Sequence, residues 1–169
     1  MEASLKTILV SIAISFASLM AFGQPFSSDT VLHIAGDGAK SIALKLDDLT
    51  ALPHRLVHAV DHDKQDHVFE GVELYRVATL AGIRFSDTLR GRGFTSSVLV
   101  VQAADGYQAV FTLAEIDPTN SSNSLILAYR EDGKWLDAKN GPLRIISPSE
   151  KRHVRWVRQV QSMHVVHVG

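Results

Sequence analysis

The stretch VLVVQAADGYQAVFT, residues 98–112, reads as two short strands about a tight turn. Val98 to Ala103 and Gln108 to Thr112 are rich in β-branched and apolar residues, and Asp105-Gly106-Tyr107 between them carries turn chemistry. Asp105 can accept backbone N–H bonds within its own turn, and Gly106 can take a positive φ at little steric cost. An isolated pair of strands is marginal in water, so this unit predicts a larger sheet around it.

The rest of the chain supplies that sheet. Val31-Leu32-His33-Ile34 and Ser41-Ile42-Ala43-Leu44 flank Gly36-Asp37-Gly38 and read as a hairpin. Leu46 to Leu49, before Pro53, fits one helical turn, and Leu56 to Val60 resumes strand character before a polar break at Asp61 to Asp66. Val72, Leu74, Val77, Leu80 and Ala81 recur at helical spacing, with Gly82 at a left-handed cap position, so a helix is expected over 73–81. Leu113 to Ile116 reads as a helical turn stopped at Asp117-Pro118. Strands are expected at Ser124 to Tyr129, Leu143 to Ile146 and Val160 to Val168, with a turn at Arg130 to Lys134. The class is therefore α+β, strand-rich mixed sheets with a few short helices.

Composition bounds the chemistry. The 169 residues include 17 Lys and Arg against 18 Asp and Glu, so no global field draws in polyanions and nucleic acid is not an expected partner. There is no cysteine, which excludes disulfides, Cys-based metal sites and a thiol nucleophile. No serine sits in a Gly-x-Ser-x-Gly elbow, so a triad hydrolase has no support. Lys6 precedes an apolar run from Thr7 to Phe22, and Ala21-Phe22-Gly23 places small residues where a signal peptidase cuts. Residues 1–23 are read as a signal peptide, with an uncleaved anchor as the alternative. Residues 24–169 are read as a single periplasmic or secreted domain.

Four ordered segments resemble the molybdopterin-binding domain of the sulfite oxidase family in a short free-standing bacterial form. They are Phe69-Glu70-Gly71-Val72-Glu73-Leu74 with Leu80-Ala81-Gly82; Ala104-Asp105-Gly106-Tyr107 with Leu113; Ile126 to Tyr129 with Gly133, Leu136 and Gly141 to Pro148; and Val154-Arg155-Trp156-Val157 with the last strand. The resemblance implies a mixed-sheet α+β fold and molybdopterin as the cofactor. It also implies that Arg144 and Arg155 match basic positions near the cofactor's anionic side. In catalytic members a cysteine sulfur ligates molybdenum just after the strand preceding the aromatic-x-Gly-Val segment. Here that region reads Leu56-Val57-His58-Ala59-Val60-Asp61-His62. Neither imidazole nor carboxylate reproduces the donation of a thiolate, which argues against oxygen-atom transfer of the sulfite oxidase type and leaves the cofactor open.

Two constellations could carry function. His58, Asp61, His62, Asp63, Asp66 and His67 crowd ten positions, and imidazole with carboxylate suits zinc, copper or nickel; His58, His62 and His67 are the candidate ligands. If the strand at 56–60 ran on, His58 and His62 would share a face about 13 Å apart, so joint ligation needs the chain to fold back. The ordinary reading of this stretch is a solvated polar loop. The second constellation is basic, with Arg144, Lys151, Arg152, His153, Arg155 and Arg158 within 15 positions. Guanidinium groups there could grip a small oxyanion bidentately, and the competing reading pairs them with Glu150, Asp132 and Asp137 on a solvated face. Arg144, Arg155 and Arg152 are the expected anion contacts, with Tyr107 and Asp105 shaping the pocket and His58 or His62 lining the position where the family keeps its sulfur ligand. The expected activity is recognition without catalysis, of a small anion, a pterin-like ligand or a partner such as a membrane sensor. The alternatives are a molybdopterin-dependent oxidoreductase lacking a protein thiolate and a metal-binding protein built on the His/Asp loop.

Overall fold

The computed structural model describes residues 30–85 and 96–168; the expected signal peptide lies outside the described residues. Among the described residues ten strands form two five-stranded sheets. The first contains β1 (Thr30–Gly36), β2 (Ile42–Lys45), β5 (Ser97–Ala103), β6 (Gln108–Thr112) and β10 (Val160–His167), in the order β2-β1-β10-β5-β6. The second contains β3 (His54–Val60), β4 (Asp66–Glu73), β7 (Ile126–Glu131) and β8 (Lys134–Trp135), with β9 (Arg144–Ile146) also paired to β7. β1 and β10 run parallel while their other neighbours are antiparallel, so the first sheet is mixed. Among the described residues three short α-helices connect strands: α1 (Leu46–Thr50), α2 (Leu74–Leu80) and α3 (Leu113–Ile116). No described helix is long and apolar enough to cross a membrane.

The main core lies between the layers and draws on alternating positions. Leu99, Val101 and Ala103 of β5, Ala109 and Phe111 of β6, and Val160, Met163 and Val165 of β10 point into it, and α2 covers it with Leu74, Val77 and Ala78. Each large apolar side chain so buried is worth about 1.5–3 kcal/mol. β7 is buried on both faces. Leu127 and Tyr129 join the main core, whereas Ile126 and Ala128 join a second cluster with Val57, Ala59, Phe69, Ile146 and Trp156. This explains why Ile126 to Tyr129 is apolar without alternation.

The hairpin, the strands about Asp105-Gly106-Tyr107 and the helix ending at Gly82 all form where the sequence places them. The sequence reading omits β4, because Asp66, His67, Glu70 and Glu73 interrupt its apolar residues. β4 nonetheless sits inside its sheet between β3 and β7. Gly71 makes this possible, since a β-carbon there would collide with the Leu127 carbonyl. β3 stops at Val60, so His58 and His62 do not share a strand face.

Candidate functional site

The polar break after β3 turns back on itself: Asp61 N–H donates to the Gln65 carbonyl and Lys64 N–H to that of Asp61. This turn brings Asp61 to β9, where Arg144 is fully buried. Arg144 Nη1 and Nη2 donate to Asp61 Oδ2 and Oδ1 at 2.7 and 2.9 Å. Burial pushes the Asp61 carboxyl upward, but the Arg144 fork and the His62 N–H overcome it and hold the group at about 2. The guanidinium also lies 5.6 Å from the Phe69 ring centroid and 5.4 Å from that of Trp156.

A ladder of rings leads from this buried pair to the surface. Phe69 meets Trp156 edge-on at 5.9 Å, Trp156 meets His153 at 4.1 Å, and His153 meets His62 edge-on at 4.6 Å. Trp156 Nε1 donates to the Ser147 carbonyl at 3.0 Å, fixing the indole beside β9. Arg155 holds the same segment from the other side. Its Nε donates to Glu150 at 2.8 Å, and its Nη1 donates to Glu115 at 3.0 Å and to the Val110 carbonyl at 3.1 Å. Glu115 also completes the capping box of α3 with Thr112, so the clamp is anchored in the first sheet.

Between these two clamps, His153, Val154 and the run from Trp156 to Gln159 form one wall of an open depression of about 610 Å³. The other walls are His62 from the β3–β4 turn, Asp105 and Tyr107 from the β5–β6 turn, and Lys139 from the chain before β9. Lys139 and Arg158 have no ion-pair or side-chain hydrogen-bond partner among the described residues. Asp105 is the sole lining carboxylate, and it accepts from the Tyr107 N–H at 2.9 Å. The Tyr107 hydroxyl donates to the Val154 carbonyl, closing the rim. Desolvation lowers the His62 pKa; Asp61 opposes this, while His153, Arg158 and Arg144 push it lower still. A second depression of about 590 Å³ shares His62, His153 and Trp156 and adds His58, Lys64 and Lys151.

The residues expected from sequence divide accordingly. Asp105 and Tyr107 line the first depression and His58 the second. Arg144 and Arg155 line neither: one is spent on Asp61 in the interior and the other on Glu115 and Glu150, as the surface-pairing alternative foresaw for Glu150. Arg152 is exposed and lines neither. Lys139 carried no signal in the sequence, whereas Arg158 and His153 stood in the basic run without being singled out.

The three candidate metal ligands are not brought together. His58 pairs with Asp66 at 3.2 Å, His62 faces His153, and His67 lies between Asp63 and Asp132 at 3.0 and 2.7 Å. The register puts His58 opposite Val68 and His67 opposite Ala59, on opposite faces of the sheet, and His62 lies beyond the end of β3. Hydrogen bonds to Asp132 and Asp63 raise His67 to about 9.

The sequence matches the family described as oxidoreductase molybdopterin binding domain over residues 23–167. Among solved structures it is similar to the sulfane dehydrogenase SoxCD from Paracoccus pantotrophus, with a TM-score of 0.62 and 16% identity. That match covers 79% of this chain and 37% of the other, so the chain spans just over a third of that protein's length. No curated protein matches the sequence.

Proposed function

The chain belongs to the oxidoreductase molybdopterin-binding domain family, and on that premise we propose that it is an exported, non-catalytic member that binds a small oxyanion or a phosphate-bearing ligand in the His62/His153 depression. The family's molybdenum-holding chemistry does not fit the residues present. Where catalytic relatives place a thiolate, this chain offers Asp61, whose two oxygens are occupied by Arg144, and the imidazole of His62. The family match begins at residue 23, beside the expected cleavage point, which supports the reading of the preceding residues as a leader.

The observation that carries the reading is the excess of unpaired cations at one concave place. Lys139 and Arg158 converge with His62 and His153, while the nearby carboxylates Asp61 and Glu150 are already committed to Arg144 and Arg155. An anion entering there meets N–H donors on several sides and replaces repulsion by attraction. Tyr107 and the Asp105 turn hold the rim. One ligand atom each of Asp61, His62 and His153 lies within 4.8 Å of the others, but both Asp61 oxygens already accept from Arg144, which disfavours a cation there.

Titration calorimetry with phosphate, sulfate and molybdate tests the proposal. Binding to the wild type that is lost in Arg158→Ala and Lys139→Ala is expected. Absence of binding, or affinity unchanged in both variants, overturns it.

A further inference from the structure

A separate cluster lies at the far end of β4, where His67 stands beside the β7–β8 turn. We propose that His67 Nδ1, Asp132 and Glu131 form a site for a divalent transition-metal ion such as zinc, with Asp63 as the residue that orients the imidazole. One ligand atom from each of His67, Glu131 and Asp132 lies within 4.8 Å of the others. Nδ1 is 2.7 Å from Asp132 Oδ2 and 3.4 Å from Glu131 Oε1. Two ligands at about 2.1 Å from a tetrahedral zinc stand about 3.4 Å apart. The Glu131 contact already has that spacing, and Asp132 has to withdraw by about 0.7 Å.

The surroundings hold these donors in place. Asp63 Oδ2 lies 3.0 Å from His67 Nε2, on the side of the ring away from the cluster, which is how a carboxylate usually steers a metal-bound histidine. The other Asp63 oxygen accepts from the Gln65 N–H at 2.9 Å, so that carboxylate is itself fixed. Asp132 Oδ1 accepts from the Val68 N–H at 2.9 Å, and the Asp132 backbone sits at φ 49° with its N–H on the Val68 carbonyl. His67 is only 16% exposed. Three carboxylates surround one imidazole; the cations facing them are Arg144 Nη1, 4.0 Å from Glu131, and Lys134, whose charge acts on Asp132. His67, held at about 9 by Asp132 and Asp63, itself carries a proton at neutral pH and offsets one carboxylate, so zinc has to displace the proton between Nδ1 and Asp132; with Arg144 committed to Asp61, the remaining carboxylates favour that exchange. One nitrogen and two oxygens, with further positions open to water, suit zinc, nickel or manganese better than magnesium, which prefers oxygen alone.

The test is calorimetric titration of zinc chloride into purified protein stripped with EDTA and dialysed, with circular dichroism on every variant. The expected result is one zinc per chain, lost in His67→Ala, weakened by about 10- to 100-fold in Asp63→Asn, and unchanged in His58→Ala. If His67→Ala does not fold, loss of zinc in Glu131→Gln, a half-buried ligand, and the weakening in the exposed Asp63→Asn carry the test. No zinc binding, zinc affinity unaffected by Glu131→Gln and Asp63→Asn, or affinity that follows His62 or His153 instead, overturns the site. Phosphate binding at the other depression is measured independently and stands or falls alone.

Discussion

Arg144 and Asp61 are joined by two hydrogen bonds across 83 residues of chain, and the arginine is entirely buried. The pair ties β9 to the β3–β4 turn and sets the level at which Trp156, His153 and His62 stack. It is thus a positioning device for the depression.

Removing one partner of such a pair leaves a buried charge unmatched. Arg144→Ala and Asp61→Ala should each cost about 3–5 kcal/mol, whereas replacing both with apolar residues of similar volume should recover most of the loss. Urea unfolding of the two single variants and the Arg144→Met/Asp61→Leu double variant checks this; losses that simply add refute it.

The same pair sets a pH dependence. Asp61 sits at about 2 in the folded protein against 3.8 ordinarily, so its contribution is fully present above 3.8 and is lost as pH falls through about 2. Acid titration of the wild type should show a loss of stability over that window, and the double variant should lack this component.

His62 titrates below the ordinary 6.5, because desolvation and the neighbouring cations disfavour its charged form. The unfolded chain therefore binds this proton more tightly, and His62 opposes folding increasingly as pH drops below 6.5. Histidine NMR titration should place His62 below 6.5 without added anion and move it upward when phosphate is added. An unmoved His62 at saturating phosphate counts against the depression as the binding place.

Arg155 should affect affinity without touching the ligand. Arg155→Ala removes the links to Glu115, Glu150 and the Val110 carbonyl, at an expected cost of about 1–2 kcal/mol. Hydrogen exchange over residues 148–158 should quicken and phosphate affinity should fall, while Arg152→Ala leaves exchange unchanged.

Gly71→Ala probes the strand that the sequence concealed. The added methyl meets the Leu127 carbonyl across β4 and β7, and overpacking of this kind costs about 1–3 kcal/mol. Thermal unfolding measures it; a variant as stable as the wild type refutes the close approach.

Most of the fold was legible because it rests on short-range rules. A run of apolar and β-branched residues marks β5, partial alternation marks β10, Gly and Asp mark the turns, and helical spacing marks α2. β4 was not, since a central strand whose outer residues pair with charges from elsewhere looks polar when read alone. Of the site, Asp105, Tyr107 and His58 were named from sequence and do line depressions, whereas Lys139 was invisible because nothing local distinguishes it from any other exposed lysine.

The amino-acid sequence by itself determined the strand-rich class, the turns and the absence of any thiolate, because residue type and near-neighbour spacing govern those properties. Tertiary structure decided which charges neutralise one another. Asp61 and Arg144 are far apart along the chain and share one buried pocket, while Arg158 and Lys139 reach the surface without partners among the described residues. Coulomb attraction and desolvation depend on distance through space and on burial, and a linear order of residues contains neither.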